Sequence, residues 1–199
     1  MSVVVAIKDK DRVWMGCDSQ VTYGGWTKHS MGNGQHKIWK PNDDNDILMG
    51  VVGSLRDINI LATAKEWLEE LPKLKNEINY EYIVRYLTPK IFKELEAFDR
   101  VESNNGIKSI CSIVTFAYKN DVYSIQEDGA VIAIDDFWAT GSGFMHCFGA
   151  WSSVKDKKIT VKEKLIECVK AGCEDSLYVN YPIVIMNTKD DKVELIEKG

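Results

Sequence analysis

No stretch of this chain is basic enough to track a phosphate backbone, and none is apolar enough to cross a bilayer. The net charge is −5 at pH 7, with no Lys/Arg run or stripe, which argues against a general nucleic-acid binder. No apolar run approaches the roughly 18–20 residues of a spanning helix. A charged start followed by an apolar h-region is missing as well, so no secretory signal is read and the chain is expected to be cytoplasmic. The five cysteines (Cys17, Cys111, Cys147, Cys168, Cys173) are odd in number and scattered, without CxxC. They read as free thiols filling apolar sites rather than as a disulfide framework. His29, His36 and His146 lack metal-ligand spacing, and neither a metal nor a cofactor is expected. Internal repeats, low-complexity segments and the phosphate-cradling GxxxxGK[ST] pattern are all absent.

What remains is an ordinary foldable chain. With 199 residues, 45% apolar and 28% charged, residues 1–199 read as a single domain with a sizeable core. Residues 2–8 and 12–17 are β-rich and flank polar turn material, which predicts a hairpin. The glycine-rich segment 24–35 reads as a loop, and strands follow near 36–40 and 46–52. The period then changes. Ser54-x-x-Asp57 resembles a capping box, and Leu61, Ala64, Leu68 and Leu71 recur at helical spacing. A second helix is predicted over 79–98 on Ile83, Leu87, Ile91 and Leu95, with Pro89 as a kink or a break. After a polar stretch at 99–108 come β-rich segments 109–118, 121–126 and 130–134. A third helix is predicted from Ser142 and a fourth from the box Thr160-x-x-Glu163, with closing strands near 182–187 and 192–197. Helices in consecutive pairs argue against a doubly wound parallel sheet. The expected fold is α+β, a four-layer αββα sandwich of two antiparallel sheets flanked by helix pairs.

Several short features could carry chemistry. Ser2 opens the first strand one residue after Met1, and a small residue there favours trimming of the methionine. A serine at the new terminus would hold a hydroxyl nucleophile and an α-amine whose ordinary pKa of about 7.7–8.0 suits a general base. Asp18 ends the second strand within Asp18-Ser19-Gln20-Val21-Thr22. Lys37 opens a strand after the glycine-rich loop. Gly50 lies inside the apolar strand Leu48–Gly53, where glycine often marks a close backbone approach. Ala139-Thr140-Gly141-Ser142-Gly143 precedes a helix. Each alone has an ordinary reading: a first strand, a turn carboxylate, a solvated charge, a packing glycine, a loop.

In this order the features resemble the proteasome β-type members of the N-terminal nucleophile hydrolases, and among them the bacterial heat-shock-locus peptidase. The resemblance covers nearly the whole chain. It implies that Ser2 is the nucleophile, that Lys37 keeps the terminal amine neutral, and that Asp18 holds Lys37. It implies Gly50 as the oxyanion-hole N–H, Ser142 as a partner of the amine, and Glu174 (or Asp175) as the late acidic residue. Val21 and Thr22 match the strand edge that docks a polypeptide substrate, and Leu48 matches a side-chain pocket position. Stacked homo-oligomeric rings and a separate ATP-dependent unfoldase are implied partners. Two departures stand out. Serine replaces the usual threonine, and Leu177 and Tyr178 follow Glu174 and Asp175 where the proteasome pattern has serine. No propeptide is expected ahead of Ser2, and activity is expected to depend on removal of Met1. Three readings stay open: an active ring-forming peptidase, a catalytically inactive ring or scaffold subunit, and an amidohydrolase for a small amide.

Overall fold

The continuous apolar run Val3-Val4-Val5-Ala6-Ile7 has both faces covered, and this fixes the architecture around it. The computed structural model describes residues 2–23, 27–32, 34–41, 46–64 and 78–199. Strand β1 (Val3–Lys8) pairs antiparallel with β2 (Val13–Cys17), giving the expected hairpin. Side chains alternate across a strand. Val3, Val5 and Ile7 therefore point to one side, toward Cys147 of helix α4 (Phe144–Val154) and Leu165, Cys168 and Val169 of helix α5 (Val161–Asp175). Val4 and Ala6 point to the other side, into a layer shared with the second sheet.

The first sheet has the order β12 (Phe137–Gly141), β1, β2, β13 (Ile183–Asn187), β14 (Glu194–Ile196). The second runs β11 (Val131–Ile134), β10 (Asp121–Ile125), β9 (Ser112–Tyr118), β6 (Ile47–Gly53), β5 (Ile38–Trp39). Every pairing within both sheets is antiparallel. On β6, Leu48 and Val52 face the first sheet, whereas Ile47, Met49 and Val51 face Leu61 of α1 (Leu55–Thr63) and Ile83, Leu87, Ile91 and Leu95 of the following helix. The molecule is thus α+β, with two antiparallel sheets face to face and helices outside each, the expected αββα sandwich.

Local differences from the sequence reading have identifiable causes. Ser54 is the N-cap of α1 but makes no side-chain cap bond. Asp57 instead spends its oxygens on Ser112 and Arg100, so the capping-box resemblance fails there. Leu68 and Leu71 lie outside the described residues. The second helix is one run of α2 (Tyr80–Tyr82), a π-helical segment Ile83–Leu87 and α3 (Thr88–Glu96), capped by the Asn79 side chain. Pro89 has no N–H to donate, and the wider turn before it accommodates the ring while the Thr88 hydroxyl bonds the Ile83 carbonyl at 2.9 Å. The Thr160/Glu163 capping box forms with both reciprocal bonds.

The polar stretch 99–108 contains a two-stranded ribbon, β7 (Val101–Asn104) with β8 (Ile107–Ile110), turned through Asn105 and Gly106 at φ 51° and 81°. Its largely exposed faces gave no apolar alternation to read. Within the segment expected as a loop, β4 (Thr27–Ser30) pairs with β3 (Gln20–Tyr23). Strand β12 went unread because it is only five residues long and ends in the glycine-rich segment before α4.

Gly50 is a packing glycine. A Cβ there would sit 2.9 Å from both Met15 Sδ and Val4 Cγ1, between the sheets. Gly50→Ala is expected to lower unfolding stability by about 1–3 kcal/mol through overpacking, read by urea denaturation. Burial is the leading cause that pushes the thiols of Cys17, Cys147, Cys168 and Cys173 up to about 12, so their reactive thiolates are scarce at neutral pH. Cys111 is exposed. Iodoacetamide at pH 7.5 should alkylate Cys111 in the native protein and the other four only after unfolding, as counted by mass spectrometry.

Candidate active site

Asp18 leaves β2 and Lys37 enters β5, and neither reaches solvent: their side chains are 0% and 2% exposed. Lys37 Nζ donates to Asp18 Oδ1 at 2.7 Å and to the Gln20 carbonyl at 2.6 Å. The Asp18 carboxylate also accepts from the N–H of Val3 at 2.9 Å, of Gln20 at 3.0 Å and of Asn180 at 3.3 Å. Burying two charges is costly and is repaid only when their remaining lone pairs and protons are bonded. Here they are. The pair ties β1, β2, β3, β5 and the segment before β13 to one point.

Ser2 sits just ahead of β1 and is nearly fully buried. Its N–H donates to Ser142 Oγ at 3.0 Å, and the Ser142 hydroxyl donates to the Ser2 carbonyl at 3.2 Å. Gly141 makes this approach possible. It lies at φ +96°, and a Cβ would stand 2.3 Å from the Ser2 carbonyl oxygen.

A cavity of about 60 Å3 opens beside Ser2, bounded by Gln20, Val21, Thr22, Lys37 and Gly53, with Leu55 and Ile58 of α1 as a wall. Ser2, Lys37, Val21 and Thr22 from the sequence reading therefore share one cavity. Asp18 lies directly behind Lys37, and Ser142 bonds Ser2.

Three expected residues are not brought there. Gly50 and Leu48 have the parity of the inner face of β6 and are committed to packing between the sheets; Leu48 is fully buried in that layer. Glu174 is exposed in the last turn of α5, where water solvates its carboxylate.

The backbone at the cavity is supplied by Gly53 instead. It ends β6 at φ +124°, where a Cβ would lie 2.2 Å from the Cys111 carbonyl. The signal was present in the sequence: of the two glycines in Gly50-Val51-Val52-Gly53, only the second stands at a strand-to-helix junction, the position from which a helix N-terminus favours negative charge. Gln20 was also missed. Its Nε2 donates to Thr22 Oγ1 and the Leu177 carbonyl, while its buried Oε1 has no partner among the described residues. The described residues contain no His/Cys/Asp/Glu cluster able to hold a metal ion.

Comparison with known proteins gives the same picture at the level of the whole chain. The ATP-dependent protease subunit HslV of Thermosipho africanus is 26% identical over 186 residues, covering 90% of this chain and 93% of that protein. Among solved structures, eukaryotic HslV from Trypanosoma brucei superposes with a TM-score of 0.70 at 18% identity, covering 93% of this chain and 98% of the other. Thiobacillus denitrificans BPH in complex with epoxomicin gives 0.69 at 15% identity, covering 93% and 97%. The proteasome subunit family matches residues 2–183, from Ser2 itself to the first residue of β13. Since that match takes in both faces of the sandwich and every residue around the Ser2 cavity, the chain belongs to the proteasome family.

Proposed function

We propose that this proteasome-family chain is an N-terminal serine peptidase, cleaving polypeptides through an acyl-enzyme on Ser2 once Met1 is removed. The observation that carries the reading is the buried Lys37 ammonium, held by Asp18 and opening onto the cavity that Ser2 lines. While Met1 is attached, the Ser2 nitrogen is an amide and has no basic lone pair. Its removal frees an α-amine, and a nearby positive charge favours the neutral, basic form of such an amine. Ser142 is placed to accept from that nitrogen and so to orient its lone pair.

In this mechanism the amine, directly or through a water, takes the proton from Ser2 Oγ. The oxygen attacks the scissile carbonyl carbon, and the tetrahedral oxyanion is stabilised by the N–H of Gly53 rather than of Gly50. Collapse breaks the C–N bond, with the proton passing from the ammonium to the departing amine. A water activated by the same amine then attacks the ester and releases the acid, restoring Ser2. The substrate lies extended along β3 at Val21 and Thr22, bonding by β-addition. The missing methyl of threonine costs only some restriction of χ1. The proposal extends to homo-oligomeric rings fed by a separate ATP-dependent unfoldase; the name of the Thermosipho africanus relative, a subunit of an ATP-dependent protease, supports its subunit character and ATP dependence.

Intact mass of the native protein should lack one methionine, and an electrophilic peptide probe should label Ser2. Ser2→Ala should abolish both labelling and peptide cleavage. Cleavage that survives Ser2→Ala, or native protein that keeps Met1 throughout, would sink the proposal in favour of an inactive ring subunit. Gly53→Ala keeps the N–H but puts a Cβ 2.2 Å from the Cys111 carbonyl oxygen, so the backbone must shift. In protein that still folds by circular dichroism, kcat should fall on the order of 10²–10³-fold through a misaimed oxyanion donor, whereas Leu48→Val should leave kcat within about 3-fold and act on stability alone. Native mass spectrometry at micromolar concentration should find rings; a monomer there counts against the assembly.

A further inference from the structure

Behind Gly53 runs a buried polar chain that the proposed mechanism leaves unused. Asp57, in the first turn of α1, is fully buried. Its Oδ1 accepts from Arg100 Nε at 2.6 Å, and its Oδ2 accepts from the Ser112 hydroxyl at 2.8 Å. Ser112 Oγ in turn accepts from the Ser54 N–H at 3.2 Å. That N–H belongs to the peptide unit joining Gly53 to Ser54, so the chain of bonds ends on the wall of the Ser2 cavity. Its far end is anchored too. The Arg100 N–H bonds the Leu95 carbonyl at the end of α3, and Arg56 donates to the Phe98 carbonyl at 3.1 Å.

A carboxylate without solvent is retained only where something bonds it fully. An acid in the first turn ordinarily serves the helix end, yet these oxygens hold Arg100 and Ser112. The pairing also holds the Arg100 guanidinium above its ordinary pKa, the hydrogen bond to Asp57 being the leading cause. Gly53 needs an outside restraint. Glycine at φ +124° has no side chain to lock its own backbone, and the space where one would lie is filled by Cys111 and Ser112.

We propose that Asp57 is a positioning residue which, through Ser112 and with Arg100 as its counter-ion, fixes the Gly53–Ser54 peptide and so pins Gly53 Cα from its C-terminal side, keeping the N–H of the preceding Val52–Gly53 unit aimed at the oxyanion position beside Ser2. This rests on the reading of Gly53 as the oxyanion donor. A misaimed donor weakens the transition state and leaves ground-state docking along β3 intact, so the loss falls on kcat and not on KM. Asp18 and Lys37 stand outside this chain of bonds. The pH at which the Ser2 amine becomes active is therefore unchanged.

The test uses protein prepared with Ser2 as its first residue, and a fluorogenic peptide followed across pH. Asp57→Asn and Ser112→Ala are each expected to lower kcat about 10–100-fold, with KM within about 2-fold and the same pH midpoint as wild type. Arg100→Lys, which keeps the charge, should recover most of what Arg100→Ala loses. Circular dichroism and melting temperature identify the variants that fold; if Asp57→Asn does not, Ser112→Ala and the Arg100 pair carry the test. Folded variants with wild-type kcat, or with a loss that travels with a shifted pH midpoint, overturn the positioning role. Wild-type protein that neither turns over peptide nor labels at Ser2 overturns the peptidase reading and this role with it. That result is told apart because the failure is already present in the wild type.

Discussion

One buried ion pair organises the region on which any chemistry here depends. Lys37 and Asp18 are both out of water, at 2.7 Å from each other, with the Gln20 carbonyl and the backbone N–H groups of Val3, Gln20 and Asn180 as further partners. A charge placed so deep is uphill unless all its partners arrive together. The pair therefore demands that β1, the turn after β2, the start of β5 and the approach to β13 meet at one place. Ser2 is carried to that place because it immediately precedes Val3, whose N–H is one of the required donors.

The glycines do the complementary work of removing obstacles. Gly141 lets the end of β12 reach the Ser2 carbonyl, where a side chain would collide. Gly53 lets β6 turn into α1 while its backbone stays exposed to the cavity. Gly50, only three residues earlier, serves a different purpose: it lets Met15 and Val4 of the first sheet pack against β6. Charge sets the meeting point, and the missing Cβ atoms set how closely the strands approach it.

Much of this was legible in the residues. The apolar run of β1 announced a strand, and the paired helix signals announced layers outside two antiparallel sheets. Asp18, Lys37 and Ser142 were readable as a set because their order along the chain resembled the proteasome family. The Thr160/Glu163 box forms because its geometry is local and needs no tertiary partner. The Ser54/Asp57 box has the same spacing and fails, because Ser112 and Arg100 arrive from distant elements and claim the Asp57 oxygens. The β7–β8 ribbon and β12 were illegible for another reason: one lacks an apolar face, and the other is short and runs into glycines.

The sequence by itself determined the architecture, because burial periodicity is a property of neighbouring residues: two apolar-faced sheets and two sets of amphipathic helices have few ways to hide their faces. It also determined which side chains were available for chemistry at Ser2. Only the tertiary structure set Gly53 rather than Gly50 at the wall of the Ser2 cavity, and placed Leu48 between the sheets and Glu174 at the surface. The reason is parity and exposure. A residue's side of a strand, or its place on the outer turn of a helix, becomes a contact only when another element packs there. The same holds for Asp57, whose oxygens accept from Ser112 and Arg100 and do not cap the helix because of what stands opposite them.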